Sequence, residues 1–386
     1  MKVLMINSVC GIRSTGRICT DLADVLETQG FEVKIAYGRE TVPQKYQKYA
    51  VRIGSDFAVK ADALKTRVLD NAGFNSKSAT KKFITWVKKF DPDIIHLHNL
   101  HGYYLNVELL FNYLKESGKR VIWTLHDCWA FTGHCSHFDV IGCEKWKSGC
   151  FNCPLKNAYP KAYTDRSRKN YQKKKQVFSG LSNLTIVTPS KWLADLVKES
   201  FLGRYPVEVI HNGIDTDIFK PTESDFRKKH NLEDKKIVLG VASAWGQAKG
   251  LYDFVKLAEM LDENYKIVLV GLTQEQIEKM PKSILCISRT NSARELAGIY
   301  TAADVFVNPT YCDTYPTVNL EAQACGTPVI TYRTGGSVES VPEENVVERG
   351  KLKSLVAMLD KMLRLKEQNF SKTTMVQRHI DLISYN

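Results

Sequence analysis

The sequence lacks any apolar run near the ~18 residues that a bilayer-spanning helix needs. Its opening residues, Met1-Lys2-Val3-Leu4-Met5-Ile6-Asn7, are too short an apolar stretch for a secretory leader and read as a first strand. There is no internal repeat and no low-complexity tract. No zinc-finger, RNP or recognition-helix pattern supports nucleic-acid binding. Acidic residues are few beside basic ones, 42 against 54, for a formal net charge of +12. That excess asks for an anionic partner: nucleic acid, an anionic membrane surface or a phosphorylated substrate. Ten cysteines without a leader suggest reduced thiols or metal ligands rather than a disulfide framework, and hence a cytoplasmic chain.

What is present is a regular alternation. With 386 residues the chain has room for two domains, each burying its own core. Short apolar runs predict strands at Val3–Asn7, Glu32–Tyr37, Ile94–His98, Val121–Leu125 and Leu184–Thr188. Helical periodicity lies between them, at Thr20–Gln29 and at Lys81–Phe90, where Phe83, Val87 and Phe90 share a face. The pattern resumes at Lys236–Ala242, Lys266–Val270, Ser283–Ile287, Asp304–Asn308 and Pro328–Thr331. Such alternation predicts an α/β fold with parallel sheets covered by helices. The densest basic stretch, Lys161 to Lys175, interleaves Tyr163, Tyr171 and Phe178, and helical spacing puts the last two on one face. It reads either as a solvated helix or as a segment lying on an anionic leaflet.

The most informative window is Asp313-Thr-Tyr-Pro-Thr-Val-Asn-Leu-Glu321, which follows the buried-strand run Val305-Phe306-Val307 and leads into a helix. Two carboxylates there flank a helix N-terminus, whose free amides and positive dipole end suit phosphate oxygens and sugar hydroxyls. With the continuation Glu321-Ala-Gln-Ala-Cys-Gly-Thr-Pro328, it resembles the E-x7-E signature of retaining GT-B glycosyltransferases of family 4, with Asp313 in the first Glu position. Asn212-Gly213-Ile214-Asp215 resembles the run that opens that family's second domain. The resemblance implies two Rossmann-like domains facing across a cleft. An acceptor domain would span 1–205, with a C-terminal helix about 370–386 crossing back to it; a nucleotide-sugar donor domain would span 206–369.

The resemblance also implies site residues. The segment Tyr315, Pro316, Thr317 and Val318 would bind the donor through its backbone, Asp313 would position the sugar and Glu321 the ribose. Lys249, in Lys249-Gly250 after a second-domain strand, would stabilise charge on the leaving diphosphate. Ala244 and Ala248 stand where a second cation is expected, so it is either missing or supplied elsewhere, by Arg289 or Arg17. The loop Ser8 to Arg17 is not a dinucleotide fingerprint, since only Gly11 and Gly16 are present; Gly16 would let a ligand approach the backbone and Arg17 would pair with phosphate. His126, after a first-domain strand, would orient the acceptor, although a histidine in that place is often only structural. His98, His101 and Tyr103 would line the acceptor side; the spacing of His96, His98 and His101 also suggests a catalytic zinc.

The cysteines Cys135, Cys143, Cys150 and Cys153 end in a C-x2-C hook and suggest a structural zinc, with Cys128, His134 and His137 as alternative ligands, or else buried reduced thiols. No Asp-x-Asp ends a strand: Asp91-Pro92-Asp93 precedes one and Asp215-Thr216-Asp217 lies in the linker. Metal-independent transfer is therefore expected, without a catalytic cofactor, from a nucleotide-sugar, UDP-linked by resemblance. The acceptor would be a saccharide, lipid-linked, at the inner membrane face in bacterial surface-polysaccharide assembly. A non-hydrolysing nucleotide-sugar epimerase and an inactive nucleotide-sugar-binding protein remain as alternatives.

Overall fold

The computed structural model describes residues 1–361 and 363–384. The chain divides into two units, Met1–His211 together with the chain from Val376 onward, and Asn212–Met375.

The first unit is built on seven parallel strands: β1 (Lys2–Asn7), β2 (Glu32–Tyr37), β3 (Ala50–Arg52), β4 (Ile94–Leu97), β5 (Arg120–Thr124), β6 (Leu184–Thr188) and β7 (Val207–Val209). Their order is β3-β2-β1-β4-β5-β6-β7. Val3 to Ile6 in β1 are all fully buried, because helices cover both faces of a parallel sheet and each strand then reads as one apolar run. Register follows directly, with Val3 opposite Ile94 and Val33. Strand β7 completes this sheet, so the division falls after His211.

The second unit repeats the plan with β8 (Lys236–Val241), β9 (Tyr265–Val270), β10 (Leu285–Ile287), β11 (Val305–Asn308), β12 (Val329–Tyr332) and β13 (Val346–Val347). All are parallel, in the order β10-β9-β8-β11-β12-β13. In both sheets the order reverses beside the first strand, between β1 and β4 and between β8 and β11. Open α/β sheets bind ligands outside the carboxyl ends of strands at such a switch point.

Helix boundaries follow local capping. Asn106 accepts from Leu109 N–H at the start of Val107–Ser117, and Gly118, at φ 62°, ends it. The first helix begins at Arg13, earlier than the apolar periodicity that predicts Thr20. Gly11 N–H donates to Gly16 O at 3.1 Å, and this closure brings the uncapped first turn into the helix.

One expectation about surface is overturned. Tyr171 and Phe178 do not lie on a solvent face of the basic helix Ser167–Phe178; they are 4% and 0% exposed, packed in the first unit's core. Lys174, from the same helix, is also buried, and its ammonium donates to Trp129 O at 2.7 Å and Thr132 O at 3.1 Å. It lies 3.6 Å from the centre of the Trp129 ring, and burial holds its pKa down to about 7. Among the described residues no helix is long and apolar enough to cross a membrane.

Candidate functional site

In the second unit the loops after the switch-point strands β8 and β11 meet. Tyr311 N–H and Thr310 Oγ1 both donate to Ala248 O, at 2.9 and 3.2 Å. Gly250 then has to be glycine: its φ is +71°, and a Cβ there would lie 2.3 Å from Pro309 O. This contact directs Lys249 at the other loop, where its Nζ meets Asp313 Oδ2 at 2.6 Å. The Asp313 side chain is only 15% exposed, and its backbone carbonyl accepts from Gly336 N–H at 3.1 Å.

The helix Thr317–Ala324 starts three residues after Thr314, with Pro316 as an N-cap that offers no side-chain acceptor. Its first amides are thus not capped by that residue, and they point from the helix's positive end. The helix is held by Asn319, whose side chain accepts from Asn308 Nδ2 at 2.8 Å and donates to Ser340 Oγ at 2.8 Å. Glu321, a half-buried residue on its second turn, accepts from Tyr300 OH at 3.1 Å. The Tyr315 ring is buried, with its hydroxyl bonded to Gln368 Nε2 at 2.9 Å, so the backbone is what this residue has to offer a ligand. Arg289 is exposed after β10, and among the described residues no ion pair joins it to Asp313.

In the first unit the loops after β4 and β5 gather histidines. His98 Nδ1 lies 3.0 Å from His126 Nε2, their rings stacked with centres 5.3 Å apart. His96, inside β4, bonds Thr124 Oγ1 at 2.8 Å and stacks on His379 from the C-terminal helix Lys372–Ser384. Burial pushes His96 and His98 well below the ordinary histidine value. It takes His126 down to about 4, with the Asp127 charge opposing. His126 therefore acts at neutral pH as an uncharged hydrogen-bonding ring.

His101 forms a separate chain: Nε2 to Asp127 Oδ2 at 2.7 Å and Nδ1 to Tyr159 OH at 3.1 Å. Burial would raise Asp127, but the His101 ring and the Trp129 N–H hold it at about 2. Tyr103, at φ 69°, sets its ring edge-on to Tyr159, 6.1 Å between centres. Gly16 is not an open approach to the backbone. A Cβ there would meet Val9 at 3.1 Å and Gly11 N at 3.2 Å, so the glycine serves packing of its own loop. Arg17 is exposed on the same helix.

The model of Glycosyltransferase Family 4 matches residues 15–218, more than half of the chain, and that of Glycosyl transferases group 1 matches 222–374. The chain belongs to glycosyltransferase family 4. Over 384 residues, 90% of this chain and 89% of the relative, it is 24% identical to a putative colanic acid biosynthesis glycosyl transferase of Escherichia coli K12. A D-inositol 3-phosphate glycosyltransferase of Corynebacterium jeikeium is 30% identical over 178 residues, 40% of this chain and 42% of that one. Among solved structures, sucrose-phosphate synthase of Thermosynechococcus elongatus shares the fold at a TM-score of 0.72 and 17% identity, covering 99% and 98% of the two chains. The Anabaena protein HepE, solved in complex with UDP, shares it at a TM-score of 0.68 and 13% identity, with both chains fully covered.

In this glycosyltransferase the four-thiolate zinc site expected from sequence is not assembled. Cys135 and Cys153 are hydrogen-bonded, which favours the Cys153 thiolate, and Cys150 Sγ accepts from Gly133 N–H at 3.1 Å. Among the described residues no group of three or more His, Cys, Asp or Glu is placed to hold a metal ion, which covers the three-histidine alternative as well. The loop has an aromatic core instead: Phe131, Phe138 and Trp146 pack with ring centres 5.0 to 6.3 Å apart, and Lys174 ties its carbonyls. Sequence reasoning missed Asp127, Tyr159, Asn319, Gly336 and His379. Asp127 stood next to His126 and Asn319 lay inside the Asp313–Glu321 window, both usable signals; the others carry no local pattern.

Proposed function

We propose that this family-4 glycosyltransferase moves a sugar, with retention of anomeric configuration and without a metal ion, from a UDP-sugar to a lipid-linked saccharide. The observation that carries the reading is the Lys249–Asp313 pair at the loop that leads into the helix Thr317–Ala324, whose N-cap Pro316 supplies no side-chain acceptor, at the β8/β11 switch point. A cation, a set of amides and a carboxylate converge there, which is what a sugar attached to a diphosphate requires. Lys249 stabilises the charge that develops on the leaving diphosphate. Asp313 accepts from the sugar's hydroxyls, Glu321 from the ribose, and the 315–318 backbone donates to the donor. In the first unit neutral His126, oriented by His98, positions the attacking hydroxyl, and a donor phosphate oxygen takes its proton. His101 and Tyr103 contribute to acceptor binding.

Relatives named for colanic acid and lipopolysaccharide assembly support a bacterial surface polysaccharide as the setting. The HepE structures in complex with UDP and UDP-glucose support the uridine choice. The basic balance of the chain supports an acceptor on an anionic inner leaflet, with the enzyme peripheral to it.

The test is thermal denaturation with UDP, GDP, ADP and their sugars, with and without EDTA, followed by NMR of the product's anomeric proton. Stabilisation by UDP and one UDP-sugar, unchanged by EDTA, and a retained configuration are expected. No shift with any nucleotide, or an inverted product, would overturn the reading.

A further inference from the structure

The helix Asp56–Leu69 is turned the opposite way from most helices that cover a sheet. Its buried positions are polar. Asp62 and Thr66 are 2% and 0% exposed, and they bond each other at 3.2 Å. Asn75 and Ser76 complete the network by donating to the two Asp62 oxygens at 3.0 and 2.5 Å.

Four of its outward positions are large and apolar: Phe57 is 82% exposed, Leu64 64%, Val68 45% and Leu69 43%. At ~100° per residue Phe57, Leu64 and Val68 fall within a stripe about 40° wide, with Leu69 outside it. On the same wheel the exposed Lys60 and Arg67 border one side of the stripe and the exposed Lys65 the other. The helix's exposed acid, Asp56, is paired with Arg52. At the far end the chain fixes another aromatic beside the stripe. Tyr163 N–H donates to Arg67 O at 2.7 Å and Thr164 Oγ1 to Val68 O at 2.8 Å, leaving the Tyr163 ring 62% exposed, with exposed Lys161 close in sequence.

We propose that this face docks on an anionic lipid bilayer surface. Phe57, Leu64 and Val68 enter the boundary between headgroups and acyl chains, and Tyr163 sits at headgroup level. Lys60, Lys65 and Arg67 reach sideways from the stripe to lipid phosphates, their methylene stems lying along the apolar surface. The charge pattern selects this occupant. A narrow apolar stripe with cations on both borders, and its only interior acid buried, complements a negative leaflet. The proposal locates the surface that a lipid-linked acceptor would require, and to that extent it rests on the reading above.

The test is flotation of the full chain with phosphatidylcholine vesicles, with and without phosphatidylglycerol. Binding that requires phosphatidylglycerol and weakens with salt is expected. The Phe57→Ser/Leu64→Ser variant should bind about tenfold more weakly or worse, and Lys60→Glu/Lys65→Glu should lose the preference for phosphatidylglycerol. Melting temperature and the nucleotide-induced shift, measured on both variants, show that they remain folded. Failure of the folded wild type to float, or flotation unchanged in the serine variant, overturns the proposal. So does a lipid-free dimer that the serine variant turns into monomers, which would make the face a self-association surface. A nucleotide shift that persists without flotation sinks only the docking, whereas flotation without any nucleotide shift sinks only the donor reading.

Discussion

Lys249 and Asp313 are 64 residues apart in sequence and form an ion pair of 2.6 Å at the end of the second sheet. Neither loop brings its own charge to that point unaided. The bonds to Ala248 O and the close approach of Gly250 to Pro309 dock one loop on the other. Asp313 thereby holds the ammonium at the loop that leads into the helix Thr317–Ala324, whose positive end favours anions.

On the proposed mechanism, Lys249→Ala should lower turnover about 10²- to 10³-fold while changing donor affinity only a few-fold, since the charge it would meet grows mainly in the transition state. Initial rates set beside calorimetric donor binding check this. Near-normal turnover would remove Lys249 from the mechanism.

Gly250→Ala should cost about 1–3 kcal/mol in stability, because alanine at φ +71° is strained and its Cβ strikes a backbone oxygen. Urea denaturation reads the cost. The nucleotide-induced shift should shrink in the same variant, because Lys249 is displaced with the loop.

Glu321→Gln keeps the shape and the partnership with Tyr300 but removes a charged acceptor. Donor KM should rise about tenfold with kcat changed much less. A kcat defect with unchanged KM would count against a ribose contact.

The buried histidines make stability depend on acid. His126 is held at about 4 against an ordinary 6.5, and His96 and His98 are also held low, so across that interval the unfolded chain binds more protons than the folded one. Stability is therefore full above the ordinary value and falls as pH drops toward the depressed ones, by about 1.4 kcal/mol per pH unit for each histidine. Melting temperatures taken between about pH 7 and pH 5 should decline, and less steeply in His98→Gln. A flat wild-type profile would contradict the neutral stack.

Much of the second unit was legible in the sequence because its cues are local. The runs at Lys236–Val241 and Val305–Asn308 are apolar because both sheet faces are covered, and Lys249-Gly250 and Asp313 lie in the loops that follow them. The first unit was harder. Strand β3 is three residues long at a sheet edge and has no pattern to read, and the helix Asp56–Leu69 has a periodicity that points the wrong way. The cysteine spacing suggested a metal hook, but aromatic packing and the Lys174 ammonium hold that loop instead.

Sequence by itself determined the alternation of strands and helices, the two sheets it implies and the chemistry available at the strand ends. Only tertiary structure decided which polar groups could be buried. Asp62 turns inward because Asn75 and Ser76 satisfy it. Lys174 does so because carbonyls 45 and 42 residues away accept its protons. His96 is tolerated in a central strand because Thr124, on the neighbouring strand, bonds it. Periodicity reports that a segment has two unlike faces, but the cost of burying a polar one depends on partners distant in sequence.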